Sequence, residues 1–114
     1  MEQSNIFLLN KQIETETVGS GVTRQILGYS QEIMLVKVVF EKGGVGDMHS
    51  HPHVQSSYIE SGRFEVTVDG NTQILEKGDG FFVPSGRLHG LICLEGGCVI
   101  DAFTPAREDF LQAK

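Results

Sequence analysis

Residues 47–55 read DMHSHPHVQ and set three of the chain's four histidines, His49, His51 and His53, at alternate positions, with Gln55 at the next step. On an extended strand, side chains two apart share a face, so the four start out on one side, subject to any bend at Pro52. A polar row on one face of a half-buried strand calls for a chemical reason. Neutral imidazole nitrogens are donors to divalent metals, and a glutamine carbonyl adds a hard oxygen. A distant fourth ligand would complete such a set, and His89 is the one histidine that remains.

A second stretch with chemical content is VIDAFTPAREDFL, residues 99–111. Period two puts Asp101 and Phe103 on the face of Val99, with Ile100 and Ala102 on the other. If that face is interior, a carboxylate stands near the metal for proton transfer and a ring forms a wall for a sugar. Arg107, just beyond, has the planar fork that grips a carboxylate with two hydrogen bonds. Read singly, each has a plainer role: Asp101 as a turn cap, Phe103 as core, Arg107 as a solvated charge.

These groups must be positioned by strands, because the dominant pattern is alternation punctuated by glycine. In RFEVTV, Phe64, Val66 and Val68 share a face. In EIMLVKVVF, Met34, Val36, Val38 and Phe40 do, while Leu35 and Val39 make the second face apolar too, which predicts packing on both sides. The segments EKGGVGD, ESG, DGN, EKGDG, PSG and LEGG read as turns. Only the tail TPAREDFLQAK reads as a short helix or turn, with Thr104 as cap and Pro105 in its first turn. The expectation is an all-β chain folded as a jelly-roll barrel. One domain over 1–114 is expected, its barrel core at about 21–104, because 114 residues suit one core.

Composition narrows the partners. Nine basic against fifteen acidic residues give a net charge of -6 without a basic run, which argues against nucleic acid. An anionic ligand therefore needs a local cation to hold it. The opening MEQSNIFLLNKQ has no basic leader and only a short apolar run, so a cytoplasmic protein without membrane attachment is expected. Cys93 and Cys98 flank LEGG and would face each other across a hairpin, yet buried thiols are the simpler reading. The segment around Ile6 to Leu9 is read as a strand and interface element of a homodimer.

The chain resembles the cupins, whose motifs are GxxxxxHxHxxxExxxxxxG and GxxxxxPxGxxHxxxN. Gly43, His49, His51 and Gly62 match the first in register, with Gln55 at the usual Glu; Gly78, Pro84, Gly86 and His89 match the second, with Cys93 at the usual Asn. The resemblance implies a double-stranded β-helix holding one divalent transition metal (nickel, zinc, manganese or iron) through His49, His51, Gln55 and His89. His53 stays open as pocket wall, supporting hydrogen-bond partner or competing ligand. Period two puts Arg87 on the His89 face, as a pocket candidate, and Tyr58 opposite Gln55.

The segments GVTRQILGYSQEIMLVKVVFEKG, HSHPHVQ, YIESGRFEVTVDG and DAFTPAREDFL together are similar to the pectin-degradation, KdgF-type cupins. That family linearises the unsaturated monouronate released by pectate or alginate lyases to the open-chain 5-keto-4-deoxyuronate. The resemblance implies Asp101, Phe103 and Arg107 as its catalytic trio and a small anionic sugar as substrate. A metal-dependent dioxygenase and a non-catalytic sugar-binding or sensing module are the alternatives the same barrel can host.

Overall fold

The computed structural model describes residues 2–111. Eight strands form one antiparallel sheet closed into a jelly roll: β1 (Glu16–Gly19), β2 (Val22–Tyr29), β3 (Met34–Phe40), β4 (Val45–His49), β5 (Val54–Val68), β6 (Asn71–Glu76), β7 (Gly80–Val83) and β8 (His89–Thr104). The main path runs β1-β2-β3-β8-β5-β6, with β4 added to β8 and β7 to β5. A short helix, α1 (Glu108–Leu111), follows.

Two long strands organise the barrel. β5 and β8 pair along their whole lengths, from Val54 opposite Thr104 to Val68 opposite His89. Each exchanges its other neighbour midway: β5 takes β7 and then β6, and β8 takes β4 and then β3. The segments ESG and LEGG, expected as turns, are therefore interior to strands. The register slips between Ile59 and Phe64, and such slips bend and twist a ribbon. Inward positions on β5 consequently change parity, from Gln55, Ser57 and Ile59 before the slip to Phe64 and Val66 after it.

Gly62 makes that bend possible. Its φ is +84°, and a Cβ there would stand 2.6 Å from the Glu95 carbonyl oxygen and 2.7 Å from the Gly97 Cα. Only a residue without a side chain allows so close an approach of two backbones.

The core follows the alternation. Phe40 and Phe64 meet edge to face at 5.3 Å amid Val22, Ile59, Val66, Cys93 and Val99. A second cluster joins Met34, Val36, Phe103 and Ala106. Each buried Val, Ile, Met or Phe among them contributes about 1.5–3 kcal/mol from leaving water. Leu35 and Val39 depart from expectation: both are exposed, and Val39 only borders a groove with Asn10, Lys11 and Ile13. Cys93 and Cys98 are free, buried thiols on one strand, and burial pushes both above the ordinary thiol range.

Both ends of the chain differ from the reading of the sequence. Residues 6–9 form no strand, and Ile6 and Phe7 are 77% and 82% exposed. Thr104 closes β8 instead of capping a helix; the helix starts four residues later, after Pro105 has redirected the chain, and 112–114 lie outside the described residues. Among the described residues no helix is long and apolar enough to cross a membrane.

Candidate metal centre

Three histidines converge, His51 and His89 buried and His49 exposed. His49 ends β4, His51 lies in the connection to β5, and His89 opens β8 directly opposite His49 in register. One ligand atom from each falls within 4.8 Å of the others. Their ring centroids are 4.3 Å (His49 to His89), 4.8 Å (His51 to His89) and 5.4 Å (His49 to His51) apart. The bend at Pro52 does not spoil the convergence of His49, His51 and Gln55.

The protonation pattern follows from the backbone. Nδ1 of His49 donates to the Asp47 carbonyl at 2.7 Å, that of His51 to the His53 carbonyl at 3.0 Å, and that of His89 to the Arg87 carbonyl at 3.0 Å. Carbonyls only accept, so Nδ1 is a donor in all three rings, and in a neutral ring it is Nε2 that stands bare. Burial holds His51 and His89 below the ordinary histidine range, helped at His51 by the charge of Arg107.

The residues fit a cation. The buried Nε2 of His89 has no hydrogen-bond partner, while the Nε2 of His51 faces the Gln55 carbonyl oxygen at 3.0 Å. Two acceptors directed at each other need a positive centre between them. The amide cannot simply turn round, because its nitrogen donates to Ser57 Oγ at 3.0 Å and reaches Asp101 Oδ1 at 3.4 Å.

Asp101 belongs to this cluster. Strand pairing sets Ser57 opposite Asp101 and Gln55 opposite Phe103, so four inward side chains form a block on the β5–β8 ribbon. Ser57 Oγ donates to Asp101 Oδ1 at 2.6 Å. Desolvation nevertheless raises the Asp101 carboxyl to about 6, against the pull of Ser57, Gln55 and Arg107. The side chain is partly exposed and lines the adjoining cavity.

That cavity measures about 250 Å³, just under the roughly 300 Å³ at which drug-sized sites begin, and its wall includes His49, His89, Asp101, Phe103, Arg107 and Arg24. The Phe103 ring stands edge to face at 5.7 Å from both His51 and Phe110. Arg107 stacks on Phe110 at 4.2 Å and lies 5.1 Å from the Phe103 centroid. Its fork, expected to be open, is filled: Nε and Nη2 donate to the Asp109 carboxylate at 3.0 and 2.9 Å.

One expectation needs correction. Arg87 does not line the cavity; its side chain turns outward to Asp69 at 2.8 Å, and only its carbonyl serves the site. It sits in the connection before β8, where strand parity has no force. Of the three roles left open for His53, the structure favours support over ligation: it lies outside the three-histidine group, its carbonyl holds His51, and it lines a shallower groove with Arg107 and Asp109. Tyr58 is half exposed, on the face opposite Gln55 as read. Ser57, Arg24 and Phe110 were missed. Ser57 continues the alternation of His49, His51 and Gln55 and was within reach of the same argument; Arg24 gave no signal, standing as one cation in an ordinary strand.

Comparison with known proteins agrees with this architecture. The cupin domain family model matches residues 36–99. The pectin degradation protein KdgF of Dickeya dadantii is 38% identical over 107 residues, covering 92% of this chain and 97% of that protein. An RmlC-like cupin structure from Shewanella frigidimarina is 49% identical, with a TM-score of 0.93 over 96% of this chain and 99% of that one. The structure of KdgF from Halomonas sp. is 36% identical, with a TM-score of 0.88 over 94% and 99%. With a jelly-roll barrel, three converging histidines and a full-length match to KdgF, the chain belongs to the cupin superfamily and is of the KdgF type.

Proposed function

We propose that the protein linearises 4,5-unsaturated monouronates to 5-keto-4-deoxyuronate. One observation carries the reading: a partly buried carboxylate, Asp101, is hydrogen-bonded into the cluster that contains the candidate metal ligands, on the wall of a monosaccharide-sized cavity. The full-length similarity to two KdgF proteins supports the substrate class. A divalent transition metal, held by His49, His51, Gln55 and His89, would supply Lewis acidity toward the sugar's oxygens.

The chain's own groups account for the proton movements. The reaction is an isomerisation: the anomeric hydroxyl loses its proton, the ring C–O bond breaks to give an aldehyde and an enolate, and the enolate carbon gains a proton as the ketone forms. Asp101 takes the first proton and returns one to carbon, with Ser57 and Gln55 holding the carboxylate in place. Phe103 forms the wall on which the ring packs, with the guanidinium of Arg107 held beside it. The same reading has the chain act in the cytoplasm, as a homodimer.

The test is proton NMR of fresh lyase-generated unsaturated uronate with metal-loaded protein, against a protein-free control. Wild type is expected to accelerate appearance of the open-chain product and a chelator to abolish the acceleration. Asp101→Asn is expected to lower turnover by roughly a hundred- to ten-thousandfold while retaining metal. No acceleration by metal-loaded wild type would overturn the substrate assignment.

A further inference from the structure

An acidic chain that takes an anionic sugar must present a cation with free donors, and the cavity wall holds two arginines. They are not equivalent. Arg107 has its bidentate edge closed by Asp109, with bonds of 3.0 and 2.9 Å, so its charge is met within the chain. Arg24, on β2, spends a single donor: Nε bonds Glu16 Oε1 at 3.2 Å. A guanidinium has five N–H donors, and among the described residues the terminal nitrogens of Arg24 have no hydrogen-bond partner.

The position of Arg24 is built, not incidental. Its side chain is only 18% exposed, and its guanidinium carbon lies 3.9 Å from the Phe110 centroid, the ring on which Arg107 also stacks. Glu16 holds one edge and Phe110 one face, which fixes the plane of the fork. It shares the cavity with His49, His89 and Asp101.

We infer that Arg24 is the residue that receives the substrate's carboxylate, through its terminal nitrogens, and that the Arg107–Asp109 pair instead latches α1 so that Phe110 and Phe103 stay on the cavity wall. The uronate class of ligand rests on the function proposed above; the choice between the two arginines rests on the hydrogen bonds.

The experiment compares binding of galacturonate and its methyl ester to metal-loaded protein by calorimetry. Neither needs to react, so a failure of the proposed reaction is read separately from a failure of carboxylate recognition. Wild type is expected to prefer the acid by about ten- to a hundredfold, the value of a charge-assisted pair. Arg24→Met is expected to erase the preference and Arg24→Lys to restore part of it, since lysine keeps the charge without the fork. Asp109→Asn, which loosens α1 and the Phe110 face behind Arg24, is expected to leave the preference unchanged or lower it, never to raise it.

Three results would overturn the inference: no acid preference in wild type, a preference that survives in Arg24→Met, or one that rises when Asp109→Asn frees the fork of Arg107. Circular dichroism establishes that each variant is folded. Should Arg24→Met not fold, Arg24→Lys decides alone, because a fork-dependent preference must fall in it.

Discussion

Gln55 stands where cupins usually carry glutamate, and its neighbours give a physical reason. Its amide nitrogen faces Ser57 and Asp101, so a carboxylate at that position would lie against another carboxylate 3.4 Å away. The amide instead offers an oxygen to the histidine cluster and a donor to the acid. Gln55→Glu is therefore expected to tighten metal retention, measured by chelator titration, because an anionic ligand holds a cation more strongly. Turnover should fall by about ten- to a hundredfold, as Asp101 loses a donor and gains a like charge. Unchanged turnover would mean that the amide donor is dispensable. The alternation of His49, His51 and Gln55, and that of Asp101 and Phe103, was legible because strand parity is a local property. Arg24 was not, since its value arises only when β2 brings it against Phe110, 86 positions later in the chain.

At the level of elements, the β5–β8 ribbon depends on a backbone contact that the sequence disguised as two turns. A glycine in ESG or LEGG signals positive φ equally well in a tight turn or in a bulge, and local composition does not separate the two. The site depends on the difference, because the slip near Gly62 lets β5 point Gln55 and Ser57 inward in its first half and Phe64 and Val66 inward in its second. Gly62→Ala puts a methyl group into the Glu95 carbonyl and the Gly97 backbone. A useful comparison is Gly70→Ala, where φ is also positive, at +82°, but nothing lies within 4 Å of the added carbon. Thermal unfolding should show a loss of about 1 kcal/mol for the open site, from left-handed strain alone, and about 3 kcal/mol or more for Gly62. Equal losses would show that the close approach is not what Gly62 secures.

For the whole molecule, the candidate ligands come from β4, its connection to β5, β5 itself and the first residue of β8, so a bound cation cross-links strands far apart in sequence. The barrel was legible from the spacing of short alternating segments, whereas the exposed Ile6 and Phe7 were not, since an apolar run says nothing of whether a sheet edge awaits it. The cross-link has a thermodynamic consequence. A metal that binds the folded chain and not the unfolded one stabilises it by about 2.7 kcal/mol at a hundredfold excess over its Kd. For a chain of 114 residues this corresponds to a rise in Tm on the order of 10 °C. Calorimetric scans with and without chelator are expected to show that shift, and replacing His89 with Ala should remove most of it, although the empty barrel still folds around its apolar clusters. A chelator-insensitive Tm in protein verified to contain metal would place the ion away from these strands, because a cation bridging β4, β5 and β8 cannot leave without lowering the stability of the barrel they form.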